Sequence, residues 1–401
     1  MVSLERPTPM LATPRGDPGT GTVSTSRPGF GHPPAADRIL IVRLGALGDV
    51  VRTLPAVHAL RALYPGAHLT WLVEPASAGV VESAGFIDET FVFPRRDLVG
   101  FLRAADGLSL LRSLAGIVGR LRRRRFDLAL DFHGILKSGV LTRLSGAPRR
   151  VGFDRSTARE FADLFVNQRV RLPGVRISRY ERNAALVRSL CATFEPEIPV
   201  LPMLQPSALA VARLTARLRV SKRQGIRGFI LIHPGSSAGA RHKRYSPLAW
   251  AEVIRELASQ GDPVWLVAGP NRHERHLVDE ILRMTGDAAV AAPETRSFDD
   301  LLALVVRAGV FVSSDSGPLH GASLAGVPVV QLIGPTDPIQ NAPWRGSRHV
   351  QIRIPLPCSP CRRGCEDAAC MRAIPPRRVV EEIRALRDGG SPGGLRSAKS
   401  P

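Results

Sequence analysis

The chain has 401 residues of globular composition, 44% apolar and 22% charged, with a formal net charge of +20. That length accommodates two domains with ample core, and the composition confines disorder to local segments. No run of about eighteen apolar residues occurs, so no transmembrane helix is expected; the basic excess directs attention to nucleic acid, an anionic membrane or an acidic substrate.

Residues 1–36 are rich in Pro, Gly, Ser and Thr and lack an apolar h-region. A disordered tail is expected there rather than a signal peptide, and hence a cytoplasmic protein. From residue 37 apolar runs alternate with amphipathic stretches, as in a parallel α/β protein. Strands are predicted at 38–43, 68–73, 91–93 and 128–131, with helices between them. Val50, Leu54, Val57 and Leu60 fall at helical spacing, and Pro55 should restart or kink that helix early. Prolines, a short helix and a basic linker occupy the stretch up to 227. A second series is predicted at 229–233, 264–268, 288–292, 310–313 and 327–333, followed by a last helix over 377–387.

Four segments carry chemical signals. The first strand ends in Gly45-Ala-Leu-Gly48-Asp49, and Glu74 ends the second strand. This pair invites a dinucleotide-binding reading. The G-x-x-G spacing and the aspartate at the helix start argue against it, because a carboxylate there repels pyrophosphate. Asp49 is then either an N-cap or a functional carboxylate. The second signal is Asp131-Phe-His133-Gly-Ile-Leu-Lys137, at the end of a strand. The third is His233-Pro-Gly-Ser236-Ser237-Ala-Gly-Ala-Arg-His-Lys243-Arg244, a turn-rich loop ending in cations. The fourth is Ser313-Ser-Asp315-Ser316-Gly317-Pro318-Leu-His320, followed by Gly334-Pro-Thr336-Asp-Pro. Here a strand breaks and a helix restarts with glycine and proline, which suits a helix N-terminus presenting free N–H groups to an anion. A diphosphate is expected at this turn, with His320 one helical turn inside it or simply packed.

In this order, the four segments resemble family 9 glycosyltransferases, the bacterial heptosyltransferases of the lipopolysaccharide inner core, over residues 38–388. The resemblance implies an α/β fold of the GT-B type, two Rossmann-like domains facing across a cleft, with the last helix packed back toward the first domain. It implies inverting transfer of a heptose or related sugar from an ADP-sugar to the inner core. Asp49 would be the catalytic base and Lys243 the diphosphate contact, with hydroxyls from Ser236 and Ser237. Asp315, Ser316, Gly317, Pro318, His320 and Thr336 would line the same nucleotide-sugar pocket. His133, Lys137, Arg155 and Arg159 would face an acidic, lipid-linked acceptor. The alternatives are a GT-B transferase with another sugar nucleotide or acceptor, an exposed basic loop around Lys243, and a nucleic-acid-binding protein. Sparse aromatics weigh against the last.

No Asp-x-Asp motif is present, so no metal or other cofactor is expected in catalysis, and fixed cations and amides must meet the leaving group's charge. Cys358, Cys361, Cys365 and Cys370 have the spacing of a structural metal site, or else are reduced thiols. The tight run Arg122–Arg125 is either a solvated helix end or a contact with the anionic inner membrane face. The boundaries expected are a tail over 1–36, an acceptor domain over 37–200, a linker over 201–227, a nucleotide-sugar domain over 228–376, a helix over 377–388 and a tail over 389–401.

Overall fold

The computed structural model describes residues 33–389, apart from 175, 192, 194–198, 200, 222, 224, 362–363 and 366, together with 396–397. The disordered tails expected over 1–36 and 389–401 lie largely outside these residues. Residues 34–36 do belong to the fold, since the Tyr64 hydroxyl donates to the Pro34 carbonyl at 3.2 Å and Ala36 is buried.

The strands are β1 Arg38–Val42, β2 His68–Val73, β3 Glu89–Val92, β4 Leu128–Asp131, β5 Arg149–Phe153, β6 Gln168–Val170, β7 Phe229–His233, β8 Val264–Leu266, β9 Val290–Ala291, β10 Ala308–Ser314, β11 Val329–Leu332, β12 His349–Arg353 and β13 Arg396–Ser397. They form two parallel sheets, ordered β3-β2-β1-β4-β5-β6 and β13-β12-β11-β10-β7-β8-β9. In both, the strand order reverses beside the central strands, and a ligand crevice opens there at the carboxyl ends. This is the expected GT-B arrangement.

Alternation along β1 sorts the first core. Ile39 and Ile41 pack with helices Leu54–Leu63 and Pro75–Glu82 on the face toward the second sheet. Leu40 and Val42 pack with Leu98, Ile117, Leu121 and Leu141 on the outer face. Phe311 and Leu231 of the second sheet share the first of these clusters, so the two halves meet in one continuous core. The expected break near Pro55 is real: helix Leu47–Val51 ends and Leu54–Leu63 restarts with proline in its first turn.

Four strands went unforeseen, β5, β6, β12 and β13, and the last of them pairs with β12 inside the segment expected to be a tail. The basic linker contains the helix Ala208–Val220, which packs on helix Phe298–Val305. The last helix, Pro376–Arg387, departs from expectation as well. Its Val379, Val380, Ile383 and Leu386 are buried with Trp250 and Ile352 against the second sheet, and not against the first domain. Burying such a side chain contributes roughly 1.5–3 kcal/mol, and Arg384 and Arg387 pair with Asp262 beside it. Among the described residues no helix is long and apolar enough to cross a membrane.

Candidate active site

Asp49 lies in the first turn of helix Leu47–Val51, just beyond β1. It does not cap the helix, because the N-cap position belongs to Ala46. Three guanidinium groups surround its carboxylate: Arg43 at 2.5 Å, Arg52 at 3.0 Å and Arg179 at 3.4 Å. Arg43 is buried and also donates to the Phe132 carbonyl at 2.9 Å. Burial alone would raise the carboxyl pKa, but Arg43, Arg52 and Arg179 outweigh it and hold Asp49 well below the usual carboxylate range. Asp49 is therefore an anion at every working pH. Its proton affinity is accordingly low.

The other wall of the cleft comes from β10 and the helix Gly317–Leu324. Ser316 is the N-cap, its hydroxyl accepting from the Leu319 amide at 3.4 Å, and Pro318 occupies the first turn. Asp315 is buried between two cations or donors, Lys243 Nζ at 2.8 Å and His320 Nε2 at 3.5 Å. Burial opposes its ionisation, yet the His320 hydrogen bond and the Lys243 and Arg52 charges hold Asp315 far below its ordinary value. Burial, with the Arg52 charge, pushes His320 down to about 4, so its ring is neutral at pH 7. With Nε2 donating to Asp315, Nδ1 accepts from the Tyr180 hydroxyl at 3.4 Å. His320 is thus neither exposed nor merely packed, since it links Asp315 to the first half of the chain.

Ser236 is buried, donates to the Ala240 carbonyl at 2.9 Å and accepts from Arg244 Nε at 2.9 Å, while Ser237 starts the short turn Ala238–Lys243. Both therefore shape the loop that delivers Lys243. The hydroxyl oxygens of Thr336 and Ser314 are buried without a hydrogen-bond partner, which leaves them available to a ligand. Glu274 carried no signal in the sequence. It is buried, accepts from the Gly269 amide at 2.8 Å and faces His233 at 3.5 Å. Beside it lies a cavity of about 180 Å³, lined by Ala268, Gly269, Val278, Ala292 and Thr295.

The two walls meet at glycines. A Cβ on Gly48 would lie 3.1 Å from Gly317 Cα, and one on Gly317 would lie 3.0 Å from the Gly48 amide and collide with Leu47. At Gly317 only hydrogen permits this approach, and at Gly48 a Cβ would need the facing backbone to give by a few tenths of an ångström. Polar contacts reinforce it: Arg52 Nη1 donates to Asn341 Oδ1 at 2.9 Å, and the Arg179 amide to the Gln340 carbonyl at 3.2 Å.

The acceptor-side residues divide. Asp131 accepts from the His133 and Gly134 amides at 2.9 and 3.0 Å and from Ser138 Oγ at 2.9 Å, which folds the loop after β4. This turns His133 toward Asp49, with its Nδ1 buried and unpartnered, and burial together with Arg43 pushes the ring down to about 3. Lys137 is tied to Glu74 at 2.5 Å, and Arg95 to the same carboxylate at 3.2 Å, so Glu74 is engaged rather than free for a ribose. Arg155 is exposed and stacks over Phe161 at 4.8 Å. Arg159, also exposed, lies close enough to Arg182 to repel its charge. Arg182 was not singled out from the sequence. It stacks on Phe153 at 4.0 Å, and burial with the Arg43 and Arg179 charges lowers it to about 9. Arg43, Arg52, Arg179 and Arg182 together make a cationic basin around one aspartate. Arg43 and Arg52 flank the Gly45–Asp49 turn on either side; Arg179 and Arg182 lie on a helix, Arg179–Arg188, that carries no motif.

Cys370 is buried, Cys361 partly so, and Cys358 and Cys365 are exposed, all as free thiols. Among the described residues no group of three or more potential ligands is arranged to hold a metal ion.

Comparison with known proteins agrees with this geometry. The family model for glycosyltransferase family 9 (heptosyltransferase) matches residues 115–371. The lipopolysaccharide core heptosyltransferase OpsX of Haemophilus influenzae is 25% identical over 317 residues, 79% of this chain and 84% of that protein. Lipopolysaccharide heptosyltransferase 1 of Pseudomonas aeruginosa is 25% identical over 374 residues, 87% of this chain and 98% of that one. In fold, the chain is similar to the E. coli heptosyltransferase WaaC with ADP, at a TM-score of 0.69 and 21% identity, covering 87% and 99% of the two chains. Motifs, sheet topology and sequence together assign this chain to glycosyltransferase family 9, the heptosyltransferase family.

Proposed function

We propose that this enzyme transfers a heptose from ADP-heptose to the lipopolysaccharide core, with inversion and without a metal. The observation that carries the reading is the meeting of Asp49 with the N-terminus of helix Gly317–Leu324 at the Gly48–Gly317 contact. Residues 37–200 then form the acceptor half and 228–376 the nucleotide-sugar half. Lys243, the Gly317 turn and the Thr336 hydroxyl receive the diphosphate, Asp315 a sugar hydroxyl, and Ser236 and Ser237 hold the loop beneath. Glu274 and the cavity beside it suit the ribose and the base. The acceptor hydroxyl attacks the anomeric carbon from the face opposite the diphosphate. A carbon–oxygen bond to the acceptor forms, the bond to the phosphate oxygen breaks, the proton passes to Asp49, and ADP leaves as an anion. Fixed cations and amides stabilise the charge growing on it. The low basicity of Asp49 fits a transition state in which the anomeric carbon is cationic and the hydroxyl loses its proton late.

His133 and the basin of Arg43, Arg179 and Arg182, with Arg159 at its rim, suit an acidic acceptor. Lys137 and Arg155 belong to the same acceptor side, and a lipid-linked acceptor also implies peripheral contact with the anionic inner membrane face. The test is a donor screen that follows nucleoside diphosphate release with delipidated core acceptor. ADP-heptose should be turned over in preference to UDP- and GDP-sugars; preference for another sugar nucleotide would contradict the reading.

A further inference from the structure

Helices Arg95–Arg103 and Gly107–Arg123 pack against each other on the outer face of the first sheet. Only Leu98, Ile117 and Leu121 of this hairpin are buried. Leu102, Leu108 and Leu111 are 62%, 59% and 66% exposed, and Leu114 is 38% exposed. Residues 108, 111 and 114 lie three apart, so they form one ridge along the helix. A contiguous ridge of large apolar side chains differs from the scattered exposure usual on a soluble surface. Segment 95–125 also carries nine arginines against two aspartates. Arg124 is taken up by Glu89 and the Phe91 ring, so the run Arg122–Arg125 is partly structural. Arg103, Arg112, Arg122 and Arg123 remain exposed along the hairpin.

We infer that this hairpin is a membrane-docking element, its leucine ridge entering the headgroup boundary of an anionic bilayer and its arginines meeting the lipid phosphates. Apolar side chains flanked by cations and almost no anions match an anionic interface. The placement fits as well. Helix Leu136–Leu144 packs on the same outer face through Leu141, and it carries, with the turn Ala162–Phe165 beside it, the exposed Leu136, Phe161 and Leu164. Arg159, at the rim of the arginine basin, stands two residues before Phe161 and so connects this surface to the acceptor side. The inference deepens the membrane contact proposed above, and its test needs no acceptor.

The test is flotation of the full chain with phosphatidylethanolamine–phosphatidylglycerol vesicles and, separately, with phosphatidylcholine vesicles. The wild type should float with the anionic vesicles. The variant L108Q/L111Q/L114Q alters only exposed side chains; it should melt like the wild type and partition at least about tenfold less. R112Q/R123Q should lose binding mainly at low salt, because the screening length falls to about 3 Å at 1 M and leaves the apolar part intact. Both variants should turn over a delipidated acceptor at the wild-type rate. Wild-type protein that does not float, or a leucine variant that floats equally well, would overturn the inference. So would a wild-type dimer in sedimentation that the leucine variant dissociates, since the ridge would then be an interface between two copies.

Discussion

Lys243 and Asp315 face each other at 2.8 Å, and this pair carries the first prediction. A diphosphate must share or take over the lysine. Lys243→Ala should weaken ADP binding about ten- to a hundredfold, the scale of a lost charge-assisted hydrogen bond, and should lower kcat as well, because the lysine holds charge that grows as ADP leaves. Titration calorimetry and steady-state kinetics check both; unchanged values would remove Lys243 from the site. The second prediction concerns pH. His320 and His133 are held near 4 and 3 in the folded protein, against 6.5 as the ordinary value. Between pH 6.5 and about 4 the unfolded chain binds protons that the native state does not. Stability therefore falls as pH drops through that window and is constant for these groups above it. His58, His242 and His349 are shifted down too and act in the same direction. Urea unfolding against pH should show the slope, and H133Q/H320Q should flatten it; a stability independent of pH from 4 to 7 would contradict the assignment. Asp49 and Lys243 were legible in the sequence because each sits in a turn whose glycines and serines mark it. Arg179 and Arg182 were not, because they reach the site only through the tertiary placement of an ordinary amphipathic helix. Arg155 stacks on Phe161 at the surface, a contact its sequence context does not announce.

Most of the fold was legible from alternation between apolar runs and helices, and the elements that escaped have physical reasons. In β12, Gln351 is buried and donates to Gln331 Oε1 at 2.7 Å, so polar residues interrupt the apolar run that usually marks a strand. β5 opens with two arginines, and its Gly152 leaves room for Val166, which a Cβ would meet at 2.8 Å. The last helix has an apolar stripe that the sequence reveals, but a stripe does not say which sheet it covers. At this scale the contact between helices Leu47–Val51 and Gly317–Leu324 is the decisive feature. Gly317→Ala should hold the walls apart through its collision with Leu47 and lower kcat/KM about a hundredfold, the order associated with a misplacement near 1 Å. Gly48→Ala, with its nearest contact at 3.1 Å, should cost less. Far-ultraviolet circular dichroism should find both folded, and equal activity in the two variants would argue that the walls need not meet.

Across the whole molecule, the segment 334–341 joins the proposed donor side to Asp49, the proposed base. Thr336 stands at one end with a buried, unpartnered hydroxyl, while Asn341 and the Gln340 carbonyl hold Arg52 and Arg179, both paired with Asp49. Under the proposed function, this chain of contacts links donor binding to the orientation of Asp49. Asn341→Ala touches neither Asp49 nor the donor pocket; it should lower kcat about tenfold with little change in ADP affinity, and a loss confined to affinity would break the link. The central claim is that Asp49 takes the acceptor proton opposite an ADP leaving group held by fixed cations. It is tested most directly by acceptor-dependent ADP release from ADP-heptose in excess EDTA, comparing wild type with Asp49→Asn, whose amide keeps the shape but loses the charge. The wild type should release ADP at its full rate with chelator present, and Asp49→Asn should bind ADP normally while releasing it about 10²–10⁴-fold more slowly. Near wild-type release by Asp49→Asn, or release that stops with EDTA and returns with magnesium, would contradict the account.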